Sequence, residues 1–201
     1  MPSSWARFVF VANEMGPMYR PIQLPSGSRY FAGIVSAAEI PTESADAWRL
    51  NAMEKRAQTL KAIDYSPEIG KVLEINMKPT AFHYIELDLK KQITIAANAE
   101  ELKGVVFTLD LFGEPAGLVQ MAAVRLIDST GETFQYGSRT TLRPGTWATV
   151  TIPVEKPVSV WGGNQDRKID FPIKFRAVAI DCDRNADETV RLLIDHITWN
   201  R

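Results

Sequence analysis

The stretch that decides the fold is "KVLEINMKPTAFHYIELDLK", residues 71 to 90. In its first half Leu73, Ile75 and Met77 alternate with polar neighbours, and in its second half Ile85, Leu87 and Leu89 do the same. Successive side chains of a strand point to opposite faces, so this period of two marks strands buried on one side. The intervening "KPTA" supplies turn chemistry.

The pattern continues outward from there. It recurs at Val105, Phe107, Leu109 and Leu111, at Val150, Ile152 and Val154, and at Val190, Leu192 and Ile194. "DSTGE" and "LRPGT" punctuate these runs with the dihedrals that turns need. From about residue 70 onward the chain therefore reads as many short strands, which predicts an antiparallel sandwich or barrel. One upstream segment breaks the pattern. In "SADAWRLNAMEKRAQTLKAI" the residues Leu50, Met53, Ala57 and Leu60 fall three or four apart, with Ser44 or Asp46 placed to cap. Local physics there favours an amphipathic helix over residues 47 to 63. Residues 1 to 40 carry Pro17, Pro21 and Pro25, which separate "WARFVFV" from "YFAGIVSAA". They read as two short strands joined by an extended, proline-stiffened connector.

Composition excludes several functions. A chain of 201 residues suffices for one well-cored domain. Its 23 basic and 24 acidic residues are interspersed, so no cationic field exists to collect phosphate backbones, and nucleic acid is not expected as a partner. The single cysteine, Cys182, excludes an intrachain disulfide and leaves a Cys-rich zinc site without ligands. The start "MPSSWARFVFVANEM" lacks the pattern of a signal peptide, and no apolar run is long enough to span a membrane as a helix. The compartment stays open, with an extracellular or periplasmic place favoured for a mature chain or excised domain.

Glu86 and Asp88 in "IELDLKK" form the most tempting catalytic pair, since both project from one strand face. Jelly-roll glycosidases of the laminarinase type carry a further glutamate two or three residues on. Here Lys90 or Lys91 takes that place, which removes a carboxylate that retaining chemistry requires. His83 and His196 lack metal-ligand spacing, and Cys182 in "AIDCDRN" has no basic cluster to activate it. No Gly-x-Ser-x-Gly elbow or phosphate loop is present.

Five motifs in order are more telling than any residue alone. They are "VRLIDSTGETFQY", "GTWATVTIPV", "WGGNQDRKIDFPI", "AVAIDCD" and "LLIDHITW", with "IDYSPEIGKVLEINMK" upstream. Together they resemble the carbohydrate-binding-module-like, galactose-binding-like accessory domains of glycoside hydrolases over about residues 45 to 201. The resemblance implies an all-β, antiparallel jelly-roll β-sandwich over residues 41 to 201, with room for one short helix. It also implies strands where the local pattern favours a helix at 47 to 63.

The implied function is non-catalytic binding of a polysaccharide or oligosaccharide beside a catalytic glycoside hydrolase domain or subunit. A structural or assembly sandwich that makes protein contacts is the alternative. A sugar groove combines aromatic platforms with a few fixed polar groups. With the core phase assigned above, the candidates for such a face are Tyr84, Glu86, Asp88, Asp110, Arg125 and Gln135, with Thr108 beside them and Trp147 completing the set. Sandwiches of the resembled class often hold a structural calcium, for which Asp195 with Glu43 or Asp46 are the candidates.

In "SVWGGNQDRKIDFPIKF", residues 159 to 175, Trp161 reads as a ring pinned over the sandwich edge, with Gly162 and Gly163 turning the backbone beneath it. Asp166 is expected to tie the following loop to backbone amides. The alternative for Trp161 is a sugar-stacking platform, and exposure of its ring separates the two readings.

Overall fold

A computed structural model describes residues 11–13, 16–18, 38–51, 59–77, 84–114, 119–143, 145–182 and 189–200. The strands are β1 (Val11–Asn13), β2 (Gly16–Met18), β3 (Ala38–Ile40), β4 (Trp48–Asn51), β5 (Thr59–Ser66), β6 (Gly70–Met77) and β7 (Tyr84–Ala96). They continue with β8 (Val106–Glu114), β9 (Val119–Ile127), β10 (Glu132–Arg139), β11 (Ala148–Pro153), β12 (Ser159–Gly162), β13 (Ile173–Cys182) and β14 (Val190–Asn200). One sheet has the order β12-β10-β9-β13-β7-β4; the other has β11-β8-β14-β6-β5, with β3 also paired to β14. Every ladder of both sheets is antiparallel.

Period two is realised as two facing apolar layers. Leu87, Val124, Leu126, Phe175 and Val178 of the first sheet share one core with Leu73, Ile75, Phe107, Leu109, Leu192 and Ile194 of the second. Phe175 bridges the layers, edge-on to Trp48 at 6.2 Å and tilted against Phe107 at 5.7 Å between ring centroids. Burial of this area is the main source of stability. The sandwich fold is thus as the alternating runs predict.

The helix expected over 47 to 63 is absent from its described parts. Trp48–Asn51 pairs with Leu89–Glu86 and Thr59–Ser66 with Asn76–Gly70, while residues 52 to 58 lie outside the described residues. Trp48 shows why. Its ring is 2% exposed and its Nε1 donates to the Pro41 carbonyl at 2.6 Å, so the burial of one large side chain overrides a three-four spacing of smaller ones. Ser44 caps only a short 3-10 turn, Ala45–Ala47, accepting from the Asp46 amide at 3.3 Å. The one described α-helix, Ala99–Leu102, follows β7, with Asn98 Oδ1 accepting from the Glu101 amide at 3.0 Å. Of the strands and connector expected over 1 to 40, β1 pairs with β2 and β3 with β14; the remainder, like His83, lies outside the described residues.

Two irregularities steer side chains. In β13 a bulge lies between Phe175 and Ala177, so that Phe175 and Val178 both reach the core and Arg176 is left on the outer side. At the β12 turn Gly163 has φ +52°, and a Cβ there would collide with the Glu132 backbone.

The outer face of the second sheet carries its own apolar cluster of Val72, Phe112 and Leu193, roofed by Tyr65 and Trp147. Glu74 lies buried on β6 between Lys61 Nζ at 2.9 Å and Arg191 Nε at 2.7 Å. Burial pushes its carboxyl up, but the Lys61, Arg191 and Asn76 hydrogen bonds outweigh that and hold it below the usual carboxylate range. A depressed folded value means that the stabilisation is full above the ordinary carboxylate range and is lost as pH falls through the folded value. Melting temperatures taken between about pH 6 and about pH 3 should fall less steeply in Glu74→Gln than in the parent, from a lower start at neutral pH. Parallel curves would show that Glu74 does not carry this acid sensitivity.

Candidate functional site

The outer face of the six-stranded sheet is polar where the core phase leaves it so. Register sets Gln135, Arg125, Ala177, Asp88 and Arg49 side by side across five strands, and beside them Gly137, Ala123, Ala179, Glu86 and Asn51. Side chains of one row stand on one face, so the small residues Gly137, Ala123 and Ala179 lie beside the charged row, with Ala123 and Ala179 buried there. Gly137 packs closely there, since a Cβ would stand 3.0 Å from Met121 Sδ.

Along the charged row lies a network of guanidinium and carboxylate groups. Glu86 Oε1 meets Arg125 Nη1 at 2.6 Å, and Asp88 Oδ2 meets Arg49 Nη2 at 2.9 Å. From the bulge, Arg176 reaches both acids, with Nη2 3.8 Å from Glu86 and Nε 3.6 Å from Asp88, while its Nη1 donates to Thr133 Oγ1 at 2.8 Å. Asn51 Nδ2 donates to Glu86 Oε2 at 3.2 Å, and Arg125 Nε donates to Gln135 Oε1 at 2.8 Å. Both acids are nearly shut off from water, Glu86 at 4% and Asp88 at 5% exposure. Their buried Oε1 and Oδ1 atoms meet guanidinium groups off the hydrogen-bond axis. Their role here is to fix arginines, and no third carboxylate joins them among these contacts. Lys90 and Lys91, at the position a glycosidase would give to glutamate, are exposed.

Trp161 overturns the pin reading. Its ring is 37% exposed, and the Arg125 guanidinium lies over it with Cζ 5.0 Å from the ring centroid. β12 holds it opposite Thr133, at the margin of the polar network. A cation above an indole is attracted by the ring quadrupole, so Arg125 both steadies the ring and borders it with donors. The loop behind it is tied as expected, with Asp166 Oδ1 accepting from the Lys168 amide at 2.8 Å.

The sequence candidates therefore divide. Glu86, Asp88, Arg125 and Gln135 come together on this face. Tyr84 opens β7 in register with Asp181, and its side chain lies outside the described part of the structure. Asp110 and Trp147 belong to the other sheet and correct the expected set. Asp110 accepts from Thr149 Oγ1 at 2.6 Å and faces His196 Nδ1 at 3.2 Å, while Trp147 packs edge-on to Tyr65 at 5.4 Å. Thr108 is also there, bonded to Thr198 at 2.7 Å. Sequence reasoning missed Arg49, Asn51, Thr133 and Arg176. Arg49 and Asn51 were hidden by the helical spacing, and Arg176 stands on the core phase until the bulge shifts it.

The calcium candidates do not converge. Asp195 is buried, with Oδ1 accepting from Thr42 Oγ1 at 3.0 Å and Oδ2 3.3 Å from His196 Nδ1, whereas Glu43 and Asp46 are exposed. Among the described residues no group of three or more His, Cys, Asp or Glu could hold a metal ion, and calcium needs about six or more oxygens. Cys182 is buried, and burial pushes its thiol up to about 12, so it is a core residue and no nucleophile.

No family model matches the chain. No curated protein matches it either. Solved structures do. A family 11 carbohydrate-binding module from Clostridium thermocellum, in complex with a beta-1,3-1,4-mixed-linked tetrasaccharide, is 14% identical, with a TM-score of 0.55 over 81% of this chain and 94% of that one. A family 30 module of a cellulosomal cellulase of the same organism is 13% identical, with a TM-score of 0.56 over 81% of this chain and 96% of that one. An exo-beta-agarase is 11% identical, with a TM-score of 0.51 over 81% of this chain but only 24% of its own length. At these identities the likeness is one of fold, and the chain has the jelly-roll β-sandwich fold seen in carbohydrate-binding modules.

Proposed function

We propose that this sandwich binds a polysaccharide or oligosaccharide across the outer face of its six-stranded sheet, without cutting it, and works beside a catalytic glycoside hydrolase domain or subunit. The observation that carries the reading is the exposed Trp161 ring held beside the ordered polar side chains of Arg125, Gln135 and Arg176. Sugars present hydroxyls that require hydrogen bonds and ring faces that require apolar contact, and this face offers both at one margin. Arginines already locked by Glu86 and Asp88 lose little further freedom when a ligand arrives. Support also comes from the family 11 module, whose structure contains a mixed-linked tetrasaccharide, and from the family 30 module, which belongs to a cellulase.

Affinity electrophoresis through gels cast with different polysaccharides tests the binding. Retardation by at least one glycan is the expected result, with no release of reducing ends on incubation. Migration unaffected by every glycan would favour the assembly alternative, and hydrolysis that disappears in Glu86→Gln would show an enzyme. Calcium is a separate question with a clear expectation from the donor set around Asp195. The melting temperature should be the same in added calcium and in chelator, and a rise of several degrees with calcium would reveal a site completed by residues outside those described.

A further inference from the structure

Beside the row of Gly137, Ala123 and Ala179, the next row of the same sheet face runs Arg139, Met121 and Asp181 on β10, β9 and β13. A cavity of about 610 Å³ opens there, lined by these three with Thr140 and Thr141. Arg49, Arg125 and Arg176, the other arginines of this face, each lie within 4 Å of a carboxylate. Arg139 has no such partner among the described residues, and its side chain is exposed at the cavity. Asp181 stands two strands away, roughly 10 Å between backbones, so a positive and a negative side chain line the same cavity.

We infer that this cavity is a subsite for a sugar residue carrying an anionic substituent, a carboxylate or a sulfate ester, which Arg139 receives in its fork while Asp181 accepts ring hydroxyls. The inference rests on the glycan-binding reading and adds the ligand's charge to it. A guanidinium offers paired, parallel donors that match carboxylate and sulfate oxygens, and Thr140 and Thr141 place two hydroxyls beside it. Met121 between the charged walls gives the ring an apolar floor.

Calorimetric titration of the whole chain with three oligosaccharide sets decides the matter: neutral β-glucan, unsulfated uronate-containing oligosaccharides, and sulfated galactan oligosaccharides. The expected result is about tenfold or greater preference for one anionic set over the neutral one, as for a hydrogen-bonded charge pair, with the set identifying the substituent. That preference should shrink as ionic strength rises and collapse to near unity in Arg139→Gln, with Arg139→Lys between. Equal affinity for neutral and anionic sets, or a preference that survives Arg139→Gln, overturns this inference and leaves glycan binding standing. Failure of all three sets to bind, neutral included, overturns the binding reading itself.

Discussion

Trp48→Ala should melt roughly 10 °C below the parent, the largest loss of stability expected from one substitution in this chain. The ring is 2% exposed, lies edge-on to Phe175 at the centre of the sandwich, and holds the Pro41 carbonyl through its Nε1 at 2.6 Å. Truncating a core aromatic costs about 3 to 5 kcal/mol, and each kcal/mol shifts the melting point of a domain of this size by about 2 to 4 °C. Trp48→Phe narrows the cause, because it keeps most of the apolar area and loses the hydrogen bond, about 1 kcal/mol, together with the packing of the smaller ring. Thermal denaturation followed by circular dichroism reads both. A shift of only a degree or two for the alanine variant would mean that the pairing of β4 with β7 does not depend on this anchor.

Trp161→Ala should do the reverse: lower the melting temperature by less than half as much as Trp48→Ala does and weaken glycan binding at least about tenfold. At 37% exposure Trp161 keeps part of its surface in water, so its removal costs less than that of Trp48 at 2%, while the same ring would supply the apolar contact that a sugar face needs. Arg125 loses the π surface beneath it but keeps Glu86 and Gln135, so the polar row survives the substitution. Affinity measured beside a melting curve distinguishes the outcomes. A variant that melts far lower would restore the pin reading, and one that binds as well as the parent would remove Trp161 from the site.

The two tryptophans also show what was legible beforehand. Alternation at Leu73, Ile75, Ile85, Leu87 and Leu89 correctly assigned strands and their inward side, and that phase alone puts Glu86, Asp88, Arg125 and Gln135 on outer faces. Asp110 and Trp147 were misplaced by the same rule. Period two tells which side of its own sheet a residue occupies, and both sheets of a sandwich have an outer side. Only the strand order separates β8 from β9, and order depends on long-range pairing that no local window contains. Trp48 failed in the opposite direction. Its neighbours Leu50, Met53, Ala57 and Leu60 have helical spacing, and tertiary burial of the indole decided against it. Trp161 sits beside glycines that suit a pinned corner and a presented platform equally well, so composition could not choose between them.

The bulge at Arg176 makes one position of β13 expendable to the core but not to the outer face. Two consecutive residues, Arg176 and Ala177, share the outer side there, and everything after them is one step out of phase with everything before. Deleting either one would restore strict alternation behind Phe175. Val178 and Ile180 would keep facing the core and Ala179 and Asp181 the outside, so the core phase survives while the outer face loses the extra side chain that the bulge places there. A single-codon deletion at the bulge would therefore spare the core and strike the outer face, where Arg176 meets Glu86 and Asp88, whereas deletion of Val178 would turn Ala179 and Asp181 inward.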